Sequence, residues 1–317
     1  MSRTALLLDD IYQHHETGPS HPECPERLAA ISTALQPLLD SGKLDRLAAT
    51  PGKMDDIRLC HDTRYVEEVL QKIANGAREL AGGDVRVSED SGRVAVLAVG
   101  GVVEAVNGVM TGRHSNAFCA VRPPGHHARP AAAMGFCLFN NIAIAARHAQ
   151  RAYGIERVAI VDWDVHHGNG TQEIFYKDGT VLFFSTHQSP LYPGTGAVAE
   201  RGEGKAEGKI LNRPFAAGAG RKEILGAFRD DLRPALDQFK PDLILISAGF
   251  DSRIGDPLGQ FRLTDTDFAE LTLCLMDAAE VHAQGRLISV LEGGYNLKGI
   301  GPAVAAHVRA LAGAARA

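Results

Sequence analysis

The sequence predicts a single α/β domain built on a mostly parallel sheet with helices on both faces. Short apolar runs alternate with helix-length amphipathic segments along the 317 residues, which is the pattern of parallel strands joined by crossover helices. Several of these runs are apolar throughout, as strands covered on both faces must be. No internal repeat or low-complexity linker divides the chain, so we expect one domain over residues 1–317.

Six apolar runs are the predicted strands, and they comprise residues 4–8, 116–121, 157–162, 180–185, 242–247 and 286–291. The main predicted helices comprise residues 26–39, 91–110, 141–153, 221–239, 265–283 and 300–312. Pro25 and Thr264 are start signals for two of these helices, and Gly313 is a stop signal for the last. The glycine-rich segment 194–209 is expected to be a long surface loop.

The composition limits the possible partners and compartments. A net charge of −5 and a pI near 6.2 give no broad basic surface for direct contact with nucleic acid. The five cysteines are scattered, without a CxxC pair, which favours a reducing compartment. The first apolar run is too short for a secretory signal, and no uncharged apolar stretch reaches the roughly 18 residues of a membrane span. We therefore expect a cytoplasmic monomer or simple homo-oligomer with no membrane partner.

Five of the predicted strands end in polar loops that carry residues suited to catalysis. In chain order these loops read "RPPGHHARP", "DWDVHHGNG", "STHQ", "AGFDSRIGDPLG" and "EGGYN". Ligands of open parallel sheets bind outside the carboxyl ends of the strands. The five loops together therefore predict one site at that edge of the sheet.

The second of these loops predicts a metal site. Asp162, Asp164 and His166 alternate along the chain, so an extended backbone projects all three to one side. Asp164, His166 and Asp256 make a nitrogen and oxygen ligand set that suits zinc, with one position open for water. Taken alone, "DWDVHH" is equally compatible with capping or ion-pair residues; the other four loops favour the metal.

His126 and His127 form a tandem pair that is compatible with an ordinary loop or with general base catalysis. A neutral imidazole beside a metal-bound water is a natural base. Asp162 lies outside the proposed zinc ligands and is free to orient one imidazole. Tyr295, after two glycines, is either a plain turn residue or a donor to a developing oxyanion.

These residues and their neighbours in the sequence resemble the histone deacetylase family, within the arginase–deacetylase fold group. Eight blocks carry the resemblance, in family order: "HHETGPSHPECPERL", "HDTRYVEEV", "VRPPGHHA", "GFCLFNN", "DWDVHHGNGTQ", "LYPGTG", "SAGFDSRIGDPLG" and "LEGGYN". The fifth and seventh blocks look most like the class II branch and its bacterial deacetylase and acetylpolyamine amidohydrolase relatives. The resemblance implies a central sheet of eight parallel strands and a zinc-dependent deacetylase.

The resemblance also implies a role for each catalytic residue. Asp164, His166 and Asp256 would bind one zinc per chain. Zinc and Tyr295 would polarise the acetyl carbonyl while water attacks it. His127 matches the general base and later acid, and His126 matches its partner, held by Asp162.

Other family positions match residues around this centre. A structural potassium ion is implied at Asp162, Asp164, His166, Ser185 and Thr186. The walls of a substrate channel for the lysine stem are implied at Gly135, Phe136, Tyr192 and Leu258. An arginine near an internal cavity is implied at Arg27.

Leu258 and Asn169 indicate which branch of the family the chain resembles and which substrate that branch favours. Leu258 stands where a polyamine-selective relative carries a glutamate that attracts a cationic substrate. The resemblance therefore favours acetyl-lysine in proteins or peptides as the substrate. Acetylpolyamines and other small acyl-amines stay open as alternatives. Asn169 stands where class I members carry an aspartate, which leaves His127 without a carboxylate partner. Glu89 and Asp90 are candidates for an acid at the channel rim or for a helix cap.

Two other functions compete with the deacetylase. A ureohydrolase shares the fold group but needs two manganese ions and a "DAHxD" pattern, and here the segment reads "DWDVHHGNG". A non-catalytic protein that binds acyl-lysine would not need both a base and an oxyanion donor. The sequence therefore favours the enzyme.

Overall fold

The central element of the fold is an eight-stranded sheet in which every pair of neighbouring strands is parallel. A computed structural model describes residues 3–313. Its strands are β1 (Thr4–Leu7), β2 (Leu44–Leu47), β3 (Glu79–Leu80), β4 (Val85–Arg86), β5 (Asn116–Cys119), β6 (Val158–Asp162), β7 (Val181–Gln188), β8 (Ile210–Phe215), β9 (Leu243–Ala248) and β10 (Leu287–Leu291). The sheet order is β2-β1-β5-β10-β9-β6-β7-β8, and β3 and β4 form a separate antiparallel hairpin.

Helices pack around this sheet in two groups. The helices are α1 (Glu26–Asp40), α2 (Met54–Ile57), α3 (Thr63–Ala74), α4 (Ser91–Met110), α5 (Asn141–Tyr153), α6 (Asn169–Phe175), α7 (Arg221–Ala227), α8 (Arg233–Phe239), α9 (Asp265–His282) and α10 (Leu297–Leu311). Helices α1, α9 and α10 pack together in one group, and α4 packs against α5 in the other. The predicted fold class is confirmed.

The six predicted strands are all present, and the two strands of the sheet that were not predicted lie at its edges. β2 has the adjacent charged residues Asp45 and Arg46 between its two leucines, and β8 contains Asn212, Arg213 and Pro214. An edge strand is covered less fully than a central one and tolerates such residues. Neither segment therefore has the continuous apolar run that identified the buried strands.

The predicted helix over residues 221–239 is interrupted. A one-turn π-helical segment, Phe228–Leu232, separates α7 from α8. Phe228 and Leu232 are both buried, so the apolar pattern continues through the interruption. Apolar periodicity alone could not have revealed the extra residue in this turn.

Helix α4 is long and apolar enough to cross a membrane, but about two thirds of its apolar stretch is buried inside the protein. It packs against α5 and beside β1, β5 and β10. A helix that is apolar on nearly all sides is expected in the core of a large domain. Its burial is therefore that of a core helix.

The sheet order places the five polar segments side by side. β5, β10, β9, β6 and β7 are consecutive in the sheet. The first four precede loops singled out in the sequence, whereas "STHQ" (residues 185–188) was wrongly predicted as a loop and forms the last four residues of β7. Because all five strands are parallel, their carboxyl ends meet at the same edge.

Candidate active site

The two tandem histidines at the end of β5 have different hydrogen-bond partners. His126 Nδ1 lies 2.9 Å from Asp162 Oδ2, and His127 Nδ1 lies 2.7 Å from Asn169 Oδ1. An amide oxygen can only accept, so His127 Nδ1 carries the proton in this bond. That tautomer leaves His127 Nε2 as a proton acceptor.

The electrostatic surroundings shift the pKa values of the two imidazoles in opposite directions. Burial lowers the pKa of His127 well below its ordinary value, and the neighbouring His126 and His166 lower it more. Burial also acts to lower the pKa of His126, but the charges of Asp162 and Asp164 outweigh it and raise the pKa well above its ordinary value. The pair therefore combines a cationic His126 with a neutral His127.

Gly135 permits the close approach of the next loop to His127. Its φ is +54°, and a Cβ atom at this position would lie 2.3 Å from His127 Cδ2. No larger residue fits without moving the imidazole. The loop after β5 thus packs a glycine directly against the ring of the candidate base.

Three buried side chains at the ends of β6 and β9 form a cluster that could hold a metal ion. The candidate ligand atoms of Asp164, His166 and Asp251 all lie within 4.8 Å of one another. His166 Nδ1 is 3.0 Å from Asp164 Oδ1 and 3.1 Å from Asp251 Oδ2. Burial acts to lower the pKa of His166, but its hydrogen bonds to both carboxylates outweigh burial and raise the pKa to about 10.

This cluster fits a divalent cation. Two buried carboxylates concentrate negative charge, and a proton on His166 balances part of it. One imidazole and carboxylate oxygens are ligands that zinc accepts. Binding of the ion would replace that proton, because a ligating imidazole must be deprotonated.

Asp256 lies next to this cluster but outside it. Its carboxylate accepts the backbone N–H groups of Leu258, Tyr295 and Asn296 at 2.9, 2.7 and 3.1 Å. Asp256 thereby joins the loop after β9 to the loop that carries Tyr295. Its role as a zinc ligand stays a prediction, whereas Asp251, which the sequence analysis missed, is the acid that the structure brings to His166.

Asp251 could have been found by its place in the same loop. It stands five residues before Asp256 in "GFDSRIGDP". It is fully buried, and its other oxygen accepts the backbone N–H of Val165 at 2.8 Å. A fully buried aspartate beside two candidate ligands indicates an orienting role or a ligand role.

A cavity of about 280 Å³ opens beside the cluster and the candidate base. All four predicted wall residues line it, namely Gly135, Phe136, Tyr192 and Leu258. The candidate catalytic residues His127 and Tyr295 line it as well. Ring contacts define its shape, with Phe136 and Tyr295 edge to face at 6.0 Å between centroids, and His127 and Tyr192 at 5.2 Å. Burial raises the pKa of Tyr295 well above its ordinary value, which keeps its hydroxyl a hydrogen-bond donor.

The acid at this cavity is Asp84, not Glu89 or Asp90. Asp84 Oδ2 accepts the backbone N–H of Gly135 at 2.6 Å and the hydroxyl of Tyr192 at 2.9 Å. It lies in the hairpin between β3 and β4, and it lines the cavity. Asp90 instead pairs with Arg93 beside the start of α4.

Three residues of the predicted potassium site, Asp162, Ser185 and Thr186, lie on neighbouring strands of the sheet, and Asp164 and His166 lie in the loop after β6. Asp162 of β6 is in register with Ser185 of β7 on one side, and Thr186 follows directly. Ser185 Oγ lies 3.0 Å from His187 Nδ1. The ion itself stays a prediction.

A buried ionic network lies next to Tyr295. The Arg27 guanidinium is 5.0 Å from the centroid of the Tyr295 ring and donates to the backbone oxygens of Glu292 and Gly294. Arg27 also pairs with Glu23 at 2.9 Å. The arginine implied near an internal cavity is therefore fully buried against the oxyanion-donor candidate.

Residues 21–311 match the histone deacetylase domain family. A probable deacetylase of Archaeoglobus fulgidus is 40% identical over 301 residues, which cover 94% of this chain and 83% of that protein. The mouse polyamine deacetylase HDAC10 is 40% identical over 98% of this chain, which spans 47% of the mouse protein. The crystal structure of the HDA15 HD domain superposes with a TM-score of 0.93 at 38% identity, covering 99% of this chain and 90% of that one.

The chain belongs to the histone deacetylase family. It is a hydrolase of the deacetylase and amidohydrolase kind, and the resemblance seen in the sequence is confirmed. The family is named for histones and the mouse relative for polyamines, so membership of the family does not by itself distinguish acetylated proteins from acetylated polyamines as substrates.

Proposed function

We propose that this protein is a zinc-dependent amidohydrolase that removes acetyl groups from the side-chain amine of acetyl-lysine in proteins or peptides. The observation that carries the proposal is the pairing of His127 with Asn169 beside a cavity that Tyr295 also lines. A neutral base and a hydroxyl donor then face the same small volume. That combination is what hydrolysis of an amide requires.

The ion would be held by Asp164, His166 and Asp256, with Asp251 orienting His166. When bound, zinc supplies Lewis acidity to the amide carbonyl and lowers the pKa of water. Two carboxylates in its coordination sphere would leave the centre nearly neutral.

The remaining steps belong to side chains of this protein. His127 Nε2 takes a proton from the attacking water as the new C–O bond forms. The Tyr295 hydroxyl donates a hydrogen bond to the carbonyl oxygen as negative charge develops there. His127 then delivers its proton to the amine nitrogen as the C–N bond breaks, which yields acetate and the free amine.

The walls of the cavity support acetyl-lysine as the substrate. Phe136, Tyr192 and Leu258 give an apolar lining that suits the aliphatic stem of a neutral acyl-lysine. A charged ammonium group would lose hydration there, so the acylated amine is favoured over its product. Leu258 offers no charge to a cationic substrate.

A small acetylated polyamine is the second candidate. Asp84 places one carboxylate at the cavity, and such a group can bind the distal ammonium of a polyamine or the N–H of a peptide. The relative named a polyamine deacetylase is as similar to this chain as the archaeal one, at 40% identity. The two candidates share one mechanism and differ only in the amine.

The test compares an acetyl-lysine peptide with acetylputrescine on one preparation of known metal content. We expect acetate release from both substrates to stop with a chelator or a hydroxamate, and the peptide to have the larger kcat/KM. A larger kcat/KM for acetylputrescine would keep the mechanism and reverse the substrate assignment. Bound zinc without acetate from either substrate would favour a protein that only binds acyl-lysine.

The cytoplasmic location, the structural potassium ion and the monomeric or simple homo-oligomeric state are part of the same proposal. All five cysteines, which lie within residues 3–313, are free thiols, as expected in a reducing compartment.

A further inference from the structure

Glu292, the first residue after β10, connects the loop after β5 to the carboxyl ends of β9 and β10. It is fully buried. Its Oε2 accepts the backbone N–H of Gly125 at 2.7 Å and that of His126 at 3.1 Å. Its Oε1 accepts the hydroxyl of Ser247, in β9, at 3.1 Å.

The backbone of His126 is thereby held from two sides. Its N–H donates to Glu292, while its carbonyl oxygen accepts the N–H groups of Gly170 and Thr171 in α6, each at 3.1 Å. The first bond fixes the peptide group before His126 and the other two fix the peptide group after it, so the backbone of His126 has little freedom to shift or rotate. The rings of His126 and His127 extend from this fixed segment.

The main chain of Glu292 is fixed as well. Its N–H donates to the carbonyl of Ala248 at 3.1 Å, and its carbonyl accepts from Arg27 at 2.6 Å. The next residue, Gly293, donates its N–H to Asp164 Oδ2 at 2.9 Å. Glu292 therefore ties the loop that carries His126 and His127 to the end of β10. The next residue at that strand end contacts Asp164, a candidate metal ligand.

We propose that Glu292 is a positioning residue of the deacetylase reaction: its carboxylate fixes the backbone of Gly125 and His126 and thereby sets the place of the His127 imidazole relative to the metal ligands and Tyr295. This inference rests on the proposed function. A displacement of about 1 Å at a reacting group can lower the rate about 100-fold. The contribution is geometric, since Glu292 reaches the backbone of the loop and not the substrate.

Two substitutions separate geometry from charge. Glu292→Gln removes the charge but keeps the length: the amide oxygen can accept both N–H groups, and the amide NH2 can donate to Ser247 Oγ. Glu292→Asp keeps the charge but is one methylene shorter and cannot make the same bonds to Gly125 and His126. Ser289→Ala is the control, since it removes a different buried hydrogen bond of β10, to His307 Nε2 at 2.9 Å.

The experiment measures kcat and KM for acetyl-lysine peptide and zinc content in these three variants. We expect Glu292→Asp to lower kcat about 10- to 100-fold with KM within about threefold. Glu292→Gln and Ser289→Ala should keep kcat within about threefold of the wild type. Equal losses in Glu292→Asp and Glu292→Gln, or no greater loss in Glu292→Asp than in Ser289→Ala, would overturn the inference.

Hydrogen exchange tests the same inference without a substrate. The amides of Gly125 and His126 should exchange slowly in the wild type, in Glu292→Gln and in Ser289→Ala, and faster in Glu292→Asp. Equal protection in all four proteins would contradict the positioning role. If the wild type releases no acetate from any acetylated amine, the proposed function fails, and the exchange pattern still decides whether Glu292 fixes the loop.

Discussion

Two histidines that are adjacent in the chain have opposite shifts in pKa. Against the effect of burial, the charges of Asp162 and Asp164 raise the pKa of His126. Burial and the neighbouring His126 and His166 lower the pKa of His127. His126 faces the carboxylate of Asp162, whereas His127 faces the amide of Asn169. From residue type and family position, the sequence predicted that Asp162 holds His126 and that His127 has no carboxylate partner. It could not predict that Asp251 approaches His166, because such a contact depends on the path of the loop between β9 and α9.

Replacing Asn169 with aspartate should move the acid limb of the kcat/KM profile to higher pH. A carboxylate beside His127 Nδ1–H stabilises the imidazolium and raises the pKa of His127. The base is active only when neutral, so a higher pH is then needed for full rate. The measurement is kcat/KM against pH at saturating zinc; an unchanged or lowered apparent pKa would show that His127 does not limit the acid side.

Tyr295→Phe should lower kcat about 100- to 1,000-fold, since it removes one donor to the developing oxyanion. Zinc content and the affinity for a substrate-like peptide should stay close to those of the wild type. Steady-state kinetics and metal analysis on one sample check both points. A variant with near wild-type kcat would remove Tyr295 from the mechanism.

The two loop acids after β9 should differ in their effect on zinc. Asp256→Asn should abolish stoichiometric binding, because it removes a predicted ligand. Asp251→Asn should still take up zinc at saturation, with an affinity about 10- to 100-fold weaker, because it removes a group that orients His166. Zinc titrations of both variants measure the two affinities. A larger loss of zinc affinity in Asp251→Asn than in Asp256→Asn would make Asp251 the third ligand.

At the scale of elements, the sequence identified those strands and helices whose apolar pattern is complete. α4 and α5 have the predicted bounds, and β6 and β9 differ from prediction by one residue. The edge strands β2 and β8 escaped because their polar residues break the pattern. The polar loops were identifiable because they follow buried strands, but their contacts with one another depend on the sheet order.

The loop after β5 should tolerate no side chain at Gly135. Gly135→Ala combines a positive φ with a Cβ that meets the His127 ring, so kcat should fall by at least about tenfold. Gly112→Ala is the matched control, since Gly112 has φ +73° and nothing within 4 Å of the added atom. Both variants should lose about 1 kcal/mol of unfolding free energy from backbone strain. Equal activities in the two variants would show that the contact with His127 does not constrain the base.

At the scale of the whole molecule, a buried charge network joins the first helix to the strand ends. Glu23 pairs with Arg27 of α1 and with Arg122 after β5, and all three side chains are fully buried. Burial acts to raise the pKa of Glu23, but Arg122 and Arg27 outweigh it and lower the pKa to about 2. The sequence marked Arg27 alone, because pairing across about 100 residues is invisible to local pattern.

This network predicts a loss of stability in acid. A carboxyl whose pKa is lowered in the folded state stabilises the protein above its unfolded pKa of 4.5, and this contribution is lost as the pH falls towards about 2. Glu23→Gln should lower the unfolding free energy at neutral pH by about 3–5 kcal/mol, and its difference from the wild type should shrink in that acid window. Urea unfolding at several pH values measures this difference in unfolding free energy. The control is Glu68→Gln in the exposed pair of Arg64 and Glu68, which should change the unfolding free energy little. A pH-independent difference would exclude the charge of Glu23 as its cause.

Whether one zinc ion per chain is needed for hydrolysis is tested by titrating metal-free protein with zinc while acetate release from an acetyl-lysine peptide is followed. We expect activity to rise from near zero and to level off at about one zinc per chain. Tyr295→Phe should take up the same amount of zinc and release little acetate. Activity that persists without metal, or that requires two manganese ions per chain, would contradict a single-zinc deacetylase.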